Sequence, residues 1–211
     1  MKNKIKLQIG IIGSAGAEEY RKDWNPPKGL DKAAKTIGRL LGKKGISVVT
    51  GGALGIMEKV SKEVTKNKGI AIGLHNNFKD RVFGEIYNVC INCGMLEGGP
   101  EYILTLSSDI IIAISGGAGT LNEIAMAYRN HVPVVLLEGY GGWVDKIIPQ
   151  LYEGKYLDKR KRVEFYVAKT PEQAVSIAVK QGTKRLNKLV NNGREFYKKE
   201  NKKLSGKNRL L

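Results

Sequence analysis

At 211 residues, 42% hydrophobic and 27% charged, the chain has globular composition and can bury a substantial core, which excludes an intrinsically disordered protein. Two cysteines, Cys90 and Cys93, are too few for a disulfide scaffold; no apolar run reaches the ~20 residues of a membrane span, and no signal peptide is evident. The net charge of +16 is uneven, with +5 in residues 1–150 and +11 in residues 151–211.

Taken in order, the first apolar run, 7–12, reads as a buried strand that ends in "GSAG" (13–16). The loop "RKDWNPPKG" (21–29) follows, broken by prolines and placed where a lid would lie, and then comes a helical pattern over 30–44. A second strand, 46–50, runs into "TGGALGIM" (50–57) and a helix over 54–67, whose opening residues Leu54 and Met57 have the character of core. The third and fourth strands fall at 70–74 and 86–91. His75 lies just past the third, at the surface or lining a crevice, while Cys90 and Cys93, three apart, face opposite ways along an extended chain. They read as small packing residues, and with two histidines far apart no metal site is expected.

A helix over 101–107 precedes the fifth strand, 109–114, which ends in "SGGAGT" (115–120) and feeds a helix over 120–130. A sixth strand, 134–137, leads through "GYGG" to Trp143, expected to pack that loop on the sheet, and a helix over 143–151. After a seventh strand, 163–167, Thr170, Pro171 and Gln173 form a capping box that starts a helix over 171–180. A separate basic helix follows at about 183–204.

Continuous rather than alternating apolar strands, interleaved with helices, define an α/β fold: a Rossmann-like, doubly wound, mainly parallel sheet of about seven strands with helices on both faces. Residues 1–182 are expected to form one nucleotide-binding domain and 183–211 a basic helix or tail. Three glycine-rich turns then stand at carboxyl ends of strands, where such sheets bind ligands. With a 3-2-1-4-5 order, the first and fourth strands would flank the switch point, with the second and fifth beside them, and the turns at Gly13 and Ser14, at Gly51, Gly52 and Gly55, and at Gly116, Gly117 and Gly119 would converge. Glycine admits close backbone approach, and unpaired N–H groups at helix starts favour phosphate. No P-loop motif is present, and the second strand ends in Val49-Thr50 rather than the acid that holds an NAD ribose.

The segments "VVTGGALGIMEKVSKEV" (48–64) and "SGGAGTLNE" (115–123) resemble the paired motifs of the LONELY GUY or "lysine decarboxylase-like" Rossmann superfamily, a resemblance covering about residues 5–180. "GYGGWVDK" (139–146) and "TPEQAV" (170–175) resemble its branch of uncharacterised members that includes molybdenum-cofactor carrier-like proteins. The resemblance implies phosphoribohydrolase activity on nucleoside 5′-monophosphates. Gly116, Gly117, Gly119 and Thr120, with the Thr120 hydroxyl, would hold the phosphate, Met57 would join the nucleotide site, and Glu123, on the first turn of its helix, would serve as the catalytic carboxylate. Bottom-up, Glu123 reads equally as a residue that complements a helix dipole.

One departure matters. Hydrolytic relatives carry an arginine before the fifth strand, where this chain has Pro100 or its neighbour, and no arginine lies between Arg81 and Arg129. Arg21 and Arg81 are the candidate substitutes, each also readable as a solvated surface residue. Two readings stand beside the hydrolase: a non-catalytic carrier or sensor of molybdenum cofactor or a nucleotide, and nucleic-acid binding through the basic C-terminus. The last is the lesser, since charge alone confers only non-specific affinity. No cofactor is required, self-association as a homodimer or larger homo-oligomer is implied by the resemblance, and a cytoplasmic location without a membrane partner is expected.

Overall fold

The computed structural model describes residues 5–15, 27–52, 54–76, 86–95 and 98–207. These form seven parallel strands: β1 (Gln8–Gly13), β2 (Ser47–Thr50), β3 (Ile70–His75), β4 (Val89–Asn92), β5 (Ile110–Ile114), β6 (Val134–Leu137) and β7 (Phe165–Ala168), in the order β4-β3-β2-β1-β5-β6-β7. Six helices follow strands: α1 (Leu30–Lys43), α2 (Ile56–Lys66), α3 (Gly99–Ser107), α4 (Ala118–Arg129), α5 (Gly142–Ile147) with a 3-10 turn at Ile148–Gln150, and α6 (Pro171–Lys207). The α/β, doubly wound class expected from the alternation is the one observed, and every strand pairing is parallel.

Because both faces are covered, the strands are apolar throughout; β5 (IIIAI) is buried at every position. One layer of core packs α1, α2 and α6 through Leu30, Ile37, Leu41, Val60 and Ala178 against Ile9, Ile11 and Ile112. The other packs α3, α4 and α5 through Leu104, Ile124 and Val144 against Ile12, Ile111 and Ala113. Burying such a side chain contributes about 1.5–3 kcal/mol. Cys90 packs toward the first layer and Cys93 toward the second, on opposite sides of the sheet as their spacing implies.

Three expectations need correction. The switch point lies between β1 and β5, with Gly13 in register with Ile114, while β4 is an edge strand. The segment at 86–88 is not strand. Asn88 turns back on β3, its side chain accepting from the Ala71 N–H and its own N–H donating to the Ala71 carbonyl, so pairing begins only at Val89. The two expected C-terminal helices are one. Gly182 lets the helix press on β5, where an added Cβ would stand 2.7 Å from Ile110, and nothing there breaks the hydrogen-bond ladder. Its start is as expected: Thr170 Oγ1 accepts from the Gln173 N–H at 3.1 Å, although the Gln173 side chain returns to the Lys169 N–H rather than to that of Thr170.

Candidate functional site at the carboxyl edge

β1 and β5 end side by side, and the approach is tight: a Cβ on Gly13 would lie 2.1 Å from the Ile114 carbonyl oxygen. Ser14, half-buried, follows Gly13 and accepts through its carbonyl from the Ile56 N–H at 3.1 Å, which binds the β1 turn to the start of α2. Gly55 packs against Ser14 and Ala15, and Gly52, whose N–H donates to Thr50 Oγ1, lies against the His75 ring. The first two glycine turns are therefore one packed unit. Gly51 stays half-exposed above it. Met57 sinks into the core at 6% exposure, its sulfur 3.7 Å from a Cβ placed on Gly51, which is a packing position beneath the turn.

The third turn differs. Gly116 (φ 95°) is folded over Thr120, such that a Cβ there would sit 2.2 Å from Thr120 Oγ1. Thr120 is buried, and its hydroxyl lies under Gly116 rather than in the open crevice. By contrast Gly117, Ala118 and Gly119 are solvent-exposed, and both glycines have no heavy atom within 4 Å of a Cβ position. No side chain caps α4, leaving the first N–H groups of its opening turn directed outward beside β1. The whole turn is braced from behind by α5: Trp143 N–H donates to the Gly116 carbonyl at 2.9 Å and Val144 N–H to that of Ser115 at 3.3 Å. Trp143 supplies this bond through its backbone. Its ring is 36% exposed under Lys146, and Val144 does the packing that the sequence reading gave to the indole.

Glu123 is the site's unusual group. α4 starts at Ala118, two residues earlier than its spacing implies, so Glu123 stands on the second turn and faces α3. It is 7% exposed, and among the described residues no donor or cation pairs with its carboxylate. Burial, and secondly the charge of Glu101, push its carboxyl up to about 8, so it is protonated at neutral pH. Glu101 belongs to the opening turn of α3, where its carboxylate accepts from the Gly98 N–H at 2.8 Å and Pro100 lies buried beside it. An acid thus occupies the neighbourhood where hydrolytic relatives carry their arginine. Arg21, Arg81 and most of the 21–29 loop lie outside the described residues.

His75 is 2% exposed on β3 and meets Tyr87 edge-on at 5.8 Å; it is part of the interior rather than the surface. Asp145, which the sequence reading did not single out, accepts from Gly139 N–H at 2.9 Å and Gly141 N–H at 2.7 Å and closes the turn before α5. A carboxylate three residues past a glycine pair was the available signal. Among the described residues no cluster of three or more His, Cys, Asp or Glu could hold a metal ion, and no helix is long and apolar enough to cross a membrane.

With this geometry the chain belongs to the SLOG cluster4 family, whose model matches residues 6–175. The Rossmann-like superfamily resemblance carried by the glycine motifs therefore holds. The X-ray structure of the structural-genomics target TM1055 is 34% identical, with a TM-score of 0.72 over 81% of this chain and 97% of its own. The molybdenum cofactor binding protein of Rippkaea orientalis is 25% identical (TM-score 0.66, 83% and 96% covered). The molybdenum cofactor carrier protein of Chlamydomonas reinhardtii is 27% identical (TM-score 0.63, 84% and 98% covered).

Proposed function

We propose that the protein binds a small phosphorylated ligand of the molybdenum-cofactor class, a pterin carrying a phosphate, in the crevice above β1, β2 and β5, and holds it without cleaving it. The observation that carries this reading is the exposed, uncapped start of α4 at the β1/β5 switch point. Amides there meet a phosphate with no desolvated side chain to displace, as helix starts in open sheets do. The likeness to cofactor-binding and carrier proteins supports the choice of ligand. Glu123 supports holding over hydrolysis. An uncharged carboxyl does not repel a phosphate, and it cannot stabilise the cationic character of a glycosyl transition state as a carboxylate does. Within this reading Gly13, Ser14, Gly51 and Gly52 shape the floor, and Gly117 and Gly119 admit the phosphate.

The test uses the full-length protein with the metal-free phosphorylated pterin and a panel of nucleoside monophosphates. Binding is followed by calorimetry, and release of base and ribose 5-phosphate is assayed. Gly119→Asp fits the open space at that position and sets a carboxylate against the amides, so ligand affinity falls by about tenfold or more. Saturable pterin binding without turnover, weakened in this variant, agrees with the proposal. Release of ribose 5-phosphate that disappears in Glu123→Ala establishes the hydrolase instead.

A further inference from the structure

α6 has two unlike halves. From Pro171 to Leu186 it lies on the sheet, burying Ala174, Val175 and Ala178 and pressing Gly182 against Ile110. Arg185 ends this half by donating to the carbonyls of Ser108, at 3.1 Å, and His131, at 3.2 Å, at the edge of the sheet opposite the crevice. Beyond it the helix continues to Lys207 outside the fold, past the last residue of the family match at 175. At 1.5 Å per residue, the projecting half is about 30 Å long.

Over residues 186–199 that half is segregated by chemistry. At about 100° per residue, Leu186, Leu189, Val190, Gly193, Phe196 and Tyr197 fall within about 120° of the circumference. Leu189, Phe196 and Tyr197 are 48%, 60% and 69% exposed, and the two rings meet edge-on at 5.7 Å. The remaining arc of 187–199 carries Lys188, Arg194, Lys198 and Lys199 against Glu195 alone. A second copy of this helix would be satisfied by the apolar stripe and leave the cations without a counter-charge. A nucleic acid would be satisfied by the charge and leave the apolar stripe wet. An anionic bilayer takes both, apolar stripe in the acyl boundary and cations among the headgroups.

We infer that the projecting half of α6 is an amphipathic helix that binds the surface of anionic lipid membranes. Charge complementarity selects the occupant. A helix lying on a bilayer is not a span, so the expectation of no membrane partner, drawn from the lack of a span, does not bear on it.

The experiment is co-sedimentation of the full-length protein with vesicles of phosphatidylcholine alone or with about 30% phosphatidylglycerol. The expected result is binding to the anionic vesicles only, lost at high salt, and reduced about tenfold or more in Phe196→Ser/Tyr197→Ser, which keeps every charge. These rings are exposed, so the melting temperature of the variant stays that of the parent. Lys198→Glu/Lys199→Glu loses binding as well. Absence of binding to anionic vesicles at low salt overturns the inference, as does vesicle binding unchanged by loss of the rings, which is charge alone. A dimer in sedimentation that the ring variant disperses assigns the stripe to a second copy and overturns it too. Retention of a single-stranded oligonucleotide without retention of vesicles does the same for nucleic acid.

Discussion

α4 and α5 begin alike and behave differently. Each follows a parallel strand through a glycine-rich turn and carries an acid a few residues in. Before α5, Asp145 is half-buried and folds back to accept from Gly139 and Gly141, so the amides of its turn are used up inside the molecule. Before α4, the amides are left outward and the acid, Glu123, is withdrawn into the α3 contact with no donor among the described residues. Glycine content therefore does not define a binding turn. What defines it is where the neighbouring carboxylate goes, because an acid that reaches the amides occupies the place of any anion that would come from solution.

The largest effect expected from this contrast is in Glu123. The unfolded chain ionises this carboxyl near 4.5, whereas the folded protein keeps it protonated to about 8. Unfolding thus releases a proton between these values, and stability falls by roughly 5 kcal/mol as pH rises from the lower to the higher. Denaturant titrations across that window check this, and in Glu123→Gln the component vanishes. A parent whose stability does not fall relative to the variant breaks the account of a buried, uncharged acid. Ligand affinity follows the same group: above about pH 8 the ionised carboxylate repels a phosphate, and calorimetry at rising pH reads weaker binding in the parent than in Glu123→Gln.

Next comes the turn itself. Gly116→Ala drives a methyl into Thr120 at a left-handed φ and is expected to lose about 3 kcal/mol or more in chemical denaturation. Asp145→Ala strips two amides of their acceptor and is expected to lose about 2 kcal/mol. If instead that variant gains anion affinity at the α5 turn with no loss of stability, the two helix starts are interchangeable and the contrast fails. The smallest effect belongs to Gly117→Ala, in open space with an extended backbone, where stability changes by no more than about 0.5 kcal/mol. Melting curves of the Gly116 and Gly117 variants side by side sharpen the boundary between the structural and the exposed part of one loop.

The strands, the layers and the three glycine turns were legible because apolar runs and turn residues report local geometry directly. β4 was misread at its start because Asn88 is satisfied by a long-range bond to Ala71 that no local pattern encodes. The C-terminal helix was read as two, at 171–180 and about 183–204, because the role of Gly182 is closeness to Ile110, a tertiary fact. For the site, Glu123 was read onto the first turn of its helix, and its protonation was not legible, because it depends on burial of the second turn and secondly on the charge of Glu101. Thr120 looked like a hydroxyl for a ligand, yet Gly116 folds over it.

The parallel sheet has one more consequence. Every described helix follows a strand and returns antiparallel to it, so all six begin at the crevice edge. The aligned peptide dipoles of each helix sum to roughly half a positive charge at its start. These add, within the reach that salt allows, to a fixed positive pole that draws an anion toward the crevice before it touches any amide. Arrival from solution is thereby sensitive to ionic strength in a way that residence, set by short hydrogen bonds, is not.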